Sequence, residues 1–580
     1  MSFEGLSRKL HGAIPRKIMV LTSIVMLIGG LFLIAWSLTH LPINSARSQL
    51  RDLPPSANSA ASGPPISTHF STPISIQLHP HIPIPLTEFM HTLTTEDRYL
   101  SLQPADAFRP ATFVFDLKPK YGYPIYEEFF AAATRFDTIH LSISLDVIET
   151  LWQTSTGNPE TTYQTIAILQ ETEPALEQLL GTAGSQIERY PSTAALVDAV
   201  RQNRSTLTLV PFHSLTPRLA VLAVDGQNPV ENANQFDPFT YPLIAKVYAH
   251  AGPDIADKND QIMTLLKQIP ASNRDPERLT VVAMTGVTAL VRRTAAQMDR
   301  LGAQWPAEIV GPVLSAADIT TMSNEVPFVP GCETNDDPEN LTFCTNPAYM
   351  ATLIASGADV IGLTGNHQND YGHGATSESL ALYEQAGLSI YGGGANLEAA
   401  RAPLYLEHNG NQLAFIGANS YGPTTAWATD DAPGSAQFDL AIMSNEIRAI
   451  KQNQWADVVF AELQYQETYG VEPLNEQRYN FRALVDAGAD IMTGIQSHVP
   501  QAIEFVDENI ILYGLGNLYF DQMWSLETRE ALIAKHTIYA GQHISTQLLP
   551  TILHDYGQPH WADDSIKERI LQRVFDASRD

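Results

Sequence analysis

The segment Gly357-Ala358-Asp359-Val360-Ile361-Gly362-Leu363-Thr364-Gly365-Asn366-His367 is echoed further along the chain by Gly488-Ala489-Asp490-Ile491-Met492-Thr493-Gly494-Ile495-Gln496-Ser497-His498. In each, a glycine ends a helix, Ala-Asp opens a short apolar strand, and a histidine arrives ten residues after the glycine. The helix before the first copy is marked by Asn346-Pro347, an N-cap followed by proline at the first helical position, and the helix before the second starts near Leu474. A third unit opens at Ala456-Asp457-Val458-Val459-Phe460 and runs on to Gln464 and Glu467. Short, continuously apolar strands between helices belong to a sheet covered on both faces. Such sheets collect their functional groups at the carboxyl ends of the strands. The spacing therefore predicts that Asn366, His367, Gln464, Gln496 and His498 share one rim. A lone histidine is more often a capping or surface residue; two at matching strand ends make a site worth weighing. Asp370, three residues after His367, either orients its imidazole or caps the helix beginning near Thr376.

Working towards the N-terminus, Leu279 to Met284 reads as a buried strand and Thr288 to Leu301 as a helix stopped by Gly302. Earlier, apolar runs at Ala111 to Phe115, Thr138 to Ile143, Thr165 to Leu169 and Thr206 to Val210 read as strands. Tyr126 to Thr134 and Ser192 to Gln202 read as helices between them. The alternation makes the class α/β throughout. The expected organisation is a first domain over 75–255, a polar linker over 256–278 and a second domain over 279–580.

Residues 18–38 carry no charge and are long enough, as a helix, to cross a bilayer. Arg8, Lys9, Arg16 and Lys17 precede them, which leaves residues 1–17 in the cytoplasm and sends the rest outside. The run exceeds the usual apolar core of a cleaved signal, the alternative reading. A Pro/Ser-rich tether over 39–74 follows. The expected location is thus the cell membrane, single-pass, with the bulk extracytoplasmic. There Cys332 and Cys344, the two cysteines of the chain, are expected to pair. The formal net charge of −29 argues against nucleic acid as a partner and against an electrostatic hold on an anionic membrane. The sequence leaves the oligomeric state open.

Asn366-His367-Gln368-Asn369-Asp370-Tyr371-Gly372 resembles the Asn-His-x-x-Asp-Tyr-Gly signature of the CapA family, the poly-gamma-glutamate capsule-synthesis proteins of the calcineurin-like metallophosphatase superfamily. The run Gly392-Gly393-Gly394-Ala395-Asn396-Leu397-Glu398 and the closing Gly514-Leu515-Gly516-Asn517-Leu518 are similar to further family elements in the same order, and Ser323-Asn324-Glu325 loosely matches an Asn-Leu-Glu element. The resemblance implies a metallophosphatase-like α/β sandwich over 279–580. It implies His367 as general acid/base with Asp370 behind it, Glu325, Asn366 and His498 as metal ligands, and Gln464, Gln496 and Asn517 as substrate contacts. It also exposes departures. The family's Gly-Asp stands as Gly286-Val287, its His-Trp-Gly as Gln464-Tyr465-Gln466, and the first histidine of its Gly-x-His-x-His as Gln496. Valine cannot coordinate, and an amide oxygen suits hard cations better than zinc. A divalent metal (Mn, Mg or Zn) at a degenerate site, or none, is the expectation.

Leu207-Thr208-Leu209-Val210-Pro211-Phe212, Leu219 to Gly226 and Tyr241-Pro242-Leu243 resemble the type II periplasmic substrate-binding proteins of the phosphate-binding kind. The Ser/Thr-rich phosphate loop of that family is not evident, so the resemblance implies a periplasmic-binding-protein-like fold and no ligand. Two function classes follow. One is a metal-dependent hydrolase or amide-bond-processing enzyme acting on an extracellular polymer. The other is a non-enzymatic surface module that binds an anionic polymer, or a small ligand such as a sugar or ion. For a polyanion, Arg292, Arg293 and Arg300 are the nearest basic cluster, which is otherwise a solvated helix face.

Overall fold

A computed structural model describes residues 73–104, 110–120, 122–154, 161–252 and 259–578, all within a single compact unit spanning Pro54–Asp580. The membrane span expected at 18–38 and most of the tether lie outside the described residues. Among the described residues no helix is long and apolar enough to cross a membrane.

The first part is a nine-stranded mixed sheet. Its spine is the strand Tyr123–Arg135, which pairs antiparallel with Ile244–Ala251 through its first half and with Thr206–Pro211 through its second. Outward from Ile244–Ala251 lie Phe113–Asp116, Ile74–Leu78 and Leu100–Gln103; outward from Thr206–Pro211 lie Thr165–Leu169 and Ile187–Tyr190. The helix expected over Tyr126 to Thr134 is therefore a strand. Its alanines and glutamates favour a helix in isolation, yet Phe129 to Ala133 are buried between layers, and tertiary packing overrides local propensity. The helix Thr193–Gln202 forms as expected, its Ser192 side chain accepting from the Ala195 N–H. Residues 259–268 form a further helix that buries Leu265 against this sheet.

The second part is a sandwich of two sheets. One has the order Ser389–Tyr391, Val360–Gly362, Ile319–Asn324, Leu279–Thr288, Glu530–Tyr539, Gln542–His554, Gln558–Trp561, with Asn517–Tyr519 also paired to Leu279–Thr288. Its first four strands are parallel. The other has the order Leu404–His408, Asn411–Asn419, Val458–Gln464, Ile491–Ile495, Asn509–Leu512, Ile503–Val506, the middle four parallel. Facing side chains form one core: Val282, Met284, Ile319 and Val360 from the first sheet meet Phe415, Phe460, Ile491 and Leu512 from the second. Alternation along Leu279–Thr288 sends Val281 and Ala283 the opposite way, to pack with Ala295 and Met298 of the helix Arg292–Leu301. On the far side of the second sheet lie the helices Leu440–Gln452 and Asn475–Asp486. Every residue of the two central strands Leu279–Thr288 and Val458–Gln464 is buried, as sheets covered on both faces require.

The two parts are docked through polar and aromatic contacts. Lys535 Nζ meets Glu231 at 2.6 Å, the Tyr539 hydroxyl donates to the Asn273 carbonyl at 3.0 Å, and Phe136 meets Phe505 edge-on at 4.9 Å.

Candidate functional site

The carboxyl ends of the sandwich strands come together where the register puts them. Asn419 lies opposite Gln464, Gln464 lies opposite Ile495, and Gln496 follows. In the other sheet Thr288 lies opposite Asn324, and Glu325 follows. Two close approaches link these ends. A Cβ on Gly365 would fall 2.3 Å from the Glu325 Cα, so only glycine lets the Asn366-His367 turn lie against Glu325. A Cβ on Gly422 would fall 2.8 Å from the Asn366 Cβ, and the neighbouring Tyr421 carbonyl accepts from Gln464 Nε2 at 3.1 Å.

Asp370 takes the first of its two expected roles in geometric terms. Its Oδ2 accepts from His367 Nδ1 at 2.7 Å and from the Phe343 N–H at 2.7 Å. The helix it was offered to cap starts earlier, at Gly372, behind Tyr371, without a side-chain cap. With Nδ1 engaged, Nε2 is the free nitrogen of the ring. Burial opposes charge on His367, but the Asp370 hydrogen bond and the nearby Glu325, Asp370 and Glu467 carboxylates outweigh it and hold its pKa above the ordinary value.

His498 is the converse case. Burial depresses its pKa, only partly countered by Asn517 and Glu467. Its Nδ1 donates to Asn517 Oδ1 at 2.8 Å, which leaves the Nε2 lone pair free, 3.6 Å from Glu467. Asn517 is fixed in turn, its amide donating to the Thr528 carbonyl at 3.0 Å and to Gln522 at 3.1 Å. The backbone here is forced: Gln496 has φ 83° and His498 φ 55°, left-handed values that cost a non-glycine residue about 1–3 kcal/mol each. Such strain persists where the surroundings over-determine it, and it aims both side chains inward.

Four buried oxygens at the rim have no hydrogen-bond partner: Glu325 Oε2, Asn366 Oδ1, Gln464 Oε1 and Gln496 Oε1. Buried acceptors are nearly always paired. Other buried atoms, Glu128 Oε2 and Gln501 Oε1 among them, are also left without a partner, but these four stand at four strand ends of one rim. Burial, with Glu467 and Asp370 adding to it and His367 and Arg292 opposing, pushes the Glu325 carboxyl up to about 7. Among the described residues no three His, Cys, Asp or Glu side chains gather in a way that could hold a metal ion. As a donor set, one carboxylate oxygen and three amide oxygens suit a hard cation better than zinc.

In the helix Arg292–Leu301, Arg293 and Arg300 are exposed, as on a solvated face, and Arg292 departs from that reading. Arg292 is buried, paired with Asp521 and flanked by the Phe343 and Phe520 rings, so it is neither solvated nor free to grip a polyanion. Cys332 and Cys344 are joined, and the loop they close carries Phe343, whose ring lies 4.3 Å from His367. Sequence reasoning missed Tyr469 and Trp524. Tyr469 stacks on His498 at 5.6 Å and bonds Glu467, and Trp524 meets Tyr469 edge-on. No motif marked them; their positions follow from loops that the strand pattern does not fix.

These features define an α/β sandwich with a histidine-bearing, oxygen-lined site at its carboxyl rim. Residues 281–522 match the family model described as bacterial capsule synthesis protein PGA_cap, and this part of the chain is similar to the CapA proteins. The capsule biosynthesis protein CapA of Bacillus anthracis is 28% identical over 271 residues, covering 46% of this chain and 66% of that protein. The PGA biosynthesis protein CapA of Bacillus subtilis (strain 168) is 26% identical over 276 residues, 47% of this chain and 72% of its own length. A probable polyglutamine synthesis accessory protein of Mycobacterium tuberculosis is 27% identical over 232 residues, 37% of this chain and 60% of that protein. The first of these is thus matched over just under two thirds of its length. Among solved structures, an ABC-type phosphate transport receptor from Vibrio cholerae aligns with TM-score 0.29 and 9% identity, covering 33% of this chain and 93% of that one. The CapA family is related to the metallophosphatase-like fold.

Proposed function

We propose that this chain is a membrane-anchored, extracytoplasmic CapA-like protein that acts in the synthesis or processing of a capsule or cell-surface polymer, through a reworked metallophosphatase-like pocket. The observation that carries the reading is the His367–Asp370 pair set beside four unpartnered oxygens. A histidine whose Nδ1 is held by a carboxylate and whose pKa is raised keeps a proton to give from Nε2. In a hydrolysis, water would add at the carbon of the polymer bond and lose a proton to solvent, while the Nε2 proton would go to the leaving oxygen or nitrogen as that bond breaks. His498, held neutral by burial and aimed by Asn517, would accept a hydrogen bond from substrate through Nε2.

A single hard cation such as Mg²⁺ or Mn²⁺ would be held by Glu325, Asn366, Gln464 and Gln496, and would polarise a substrate oxygen. The anchoring rests on residues 18–38 and the basic residues before them.

The test is genetic and chemical together. Replacing the gene by His367→Ala should reduce surface-polymer formation or turnover by about 10²–10⁴-fold, the usual worth of a general acid/base. Normal polymer in cells that carry the variant at wild-type protein levels would sink the reading.

A further inference from the structure

A solvent-open cavity of about 330 Å³ lies beside the loop closed by Cys332 and Cys344, at the small end of ligand-sized pockets. None of the four unpartnered rim oxygens belongs to a residue that lines it. It shares a wall with the rim: Phe343 lines the cavity, packs its ring on His367 and gives its N–H to Asp370.

Where the rim presents acceptors, this cavity presents donors. Asn335, Asn340 and Asn346 all line it. Each already has its amide oxygen bonded to a backbone N–H, that of Asp337 at 3.1 Å, Thr342 at 3.2 Å and Ala348 at 3.0 Å respectively. What such an amide has left to offer is its NH2 group. Asn340 spends one of those hydrogens on the Thr342 carbonyl at 3.0 Å and keeps the other. The Thr342 and Tyr371 hydroxyls, also in the lining, can donate as well. Arg292 completes the set. It lines the cavity, while its partner Asp521 does not. Its Nε and Nη2 donate to Asp521 and its Nη1 to the Pro338 carbonyl, and a guanidinium has more N–H groups than these bonds use. Arg292 is fixed and does not reach out to a passing chain, so a group that meets it has to enter the cavity.

Donors select an acceptor. Little in the lining opposes one. Asp299, behind Thr334 and Tyr349, takes hydrogen bonds from both their hydroxyls. Of the loop's four carboxylates, Glu333, Asp336, Asp337 and Glu339, only Glu333 lines the cavity. All four are exposed, where water and salt screen them. A carboxylate suits this set best, because its oxygens accept several N–H and O–H bonds at once and bonds to an ionised acceptor are roughly twice as strong as neutral ones.

We infer that this cavity is a second binding site, apart from the strand-end rim, and that it takes one carboxylate of an acidic ligand against Arg292, Asn335, Asn340 and Asn346. The inference stands whether or not the rim is catalytic. It gives an acidic chain a way to hold an acidic polymer without a basic groove, since amide NH2 groups do the holding one carboxylate at a time.

The experiment is calorimetry at low salt with the full-length chain in detergent. Glutarate is the small carboxylate probe, a short γ-linked glutamate oligomer the polymeric one, and the same oligomer with its carboxylates amidated the uncharged control. The acidic oligomer should bind with a Kd on the order of 1 mM or tighter, and the amidated one about tenfold or more weakly. Glutarate binding as well as the oligomer marks a site for small carboxylates, and binding of the oligomer alone marks a polymer subsite; either supports the inference. Asn335→Asp and Asn346→Asp keep the oxygen that bonds the backbone and put a second oxygen in place of the NH2, so the fold is kept while binding should fall about tenfold or more. Glu333→Gln should strengthen binding about twofold. Silence of both carboxylate probes, equal binding of the amidated oligomer, or binding indifferent to both aspartate variants would each overturn the inference. His367→Ala should bind as the wild type does, so a failure of the acid/base reading and a failure of this one are read from different variants.

Discussion

Two buried glutamates a few residues inside and at the edge of the same sandwich are built in opposite ways. Glu462, within the strand Val458–Gln464, is surrounded by donors: Ser323 Oγ at 3.1 Å and Thr364 Oγ1 at 2.7 Å reach one oxygen, and the Tyr391 hydroxyl reaches the other at 3.1 Å. Glu325, at the rim, has an oxygen that nothing in the described structure satisfies. Burial raises both pKa values. The difference is in the company. Where a carboxylate only joins two sheets, the fold supplies its hydrogen bonds. Where the same group is left short, beside three amide oxygens equally short, the missing partner comes from outside.

The largest effect expected from this contrast is at Glu462. Glu462→Leu removes the acceptor of three buried hydroxyls and should cost about 4 kcal/mol, read as a drop in the urea midpoint. An unchanged midpoint would erase the distinction between the two carboxylates. Next is the loop that supplies Asp370 with the Phe343 N–H. Replacing both Cys332 and Cys344 by serine frees it, and the closed loop predicts a loss of about 3 kcal/mol together with weaker positioning of His367. Destabilisation without any fall in polymer formation would show that the dyad does not depend on this loop.

Glu128 lies between the two cases. It is buried in the spine strand of the first sheet, and burial, only partly offset by Tyr126 and Asn273, pushes its pKa up to about 8. The folded protein then holds this proton between the unfolded value of 4.5 and about 8 while the unfolded chain releases it, so stability falls as pH rises through that window. His213 beside it, held down to about 4 by burial, stays neutral in the folded protein across this range, and its titration in the unfolded chain is common to wild type and variant. Between pH 6.5 and 8 the wild type should lose about 2 kcal/mol that Glu128→Gln does not lose. Parallel melting curves for the two proteins across that range would refute it.

How far these contrasts were legible in the sequence follows from what each depends on. The paired Gly-Ala-Asp segments made the strand ends readable, because a glycine stop, a short apolar run and a histidine at fixed spacing are local features. Asn366, His367, Gln496 and His498 came from them, and Gln464 from the third unit at Ala456-Asp457. The first sheet was harder. Tyr123–Arg135 carries helix-favouring residues and becomes a strand because layers cover both of its faces. Arg292 looked like a surface charge and is buried, since its partner Asp521 lies far away in sequence. Tyr469 and Trp524 meet across two loops, and nothing periodic announces a loop-to-loop contact. The orphan state of the four oxygens is invisible in principle from one sequence, being a statement about neighbours that are missing.

The smallest stability effect is also the most discriminating. At pH 6, below its pKa of about 7, Glu325 is mostly protonated, and glutamine is close in shape to a protonated glutamate. Glu325→Gln should therefore change stability by less than about 1 kcal/mol, against the far larger cost at Glu462. The same variant replaces the single carboxylate of the oxygen set by a fourth amide. If a hard cation is held there, the loss of that charge should lower metal retained after dialysis at pH 7.5 by tenfold or more while the melting curve hardly moves. A variant that melts far earlier than the wild type would make Glu325 a structural residue like Glu462. A variant that keeps its metal would move the cation to other ligands. A stable fold without the metal is what a carboxylate reserved for an outside partner requires.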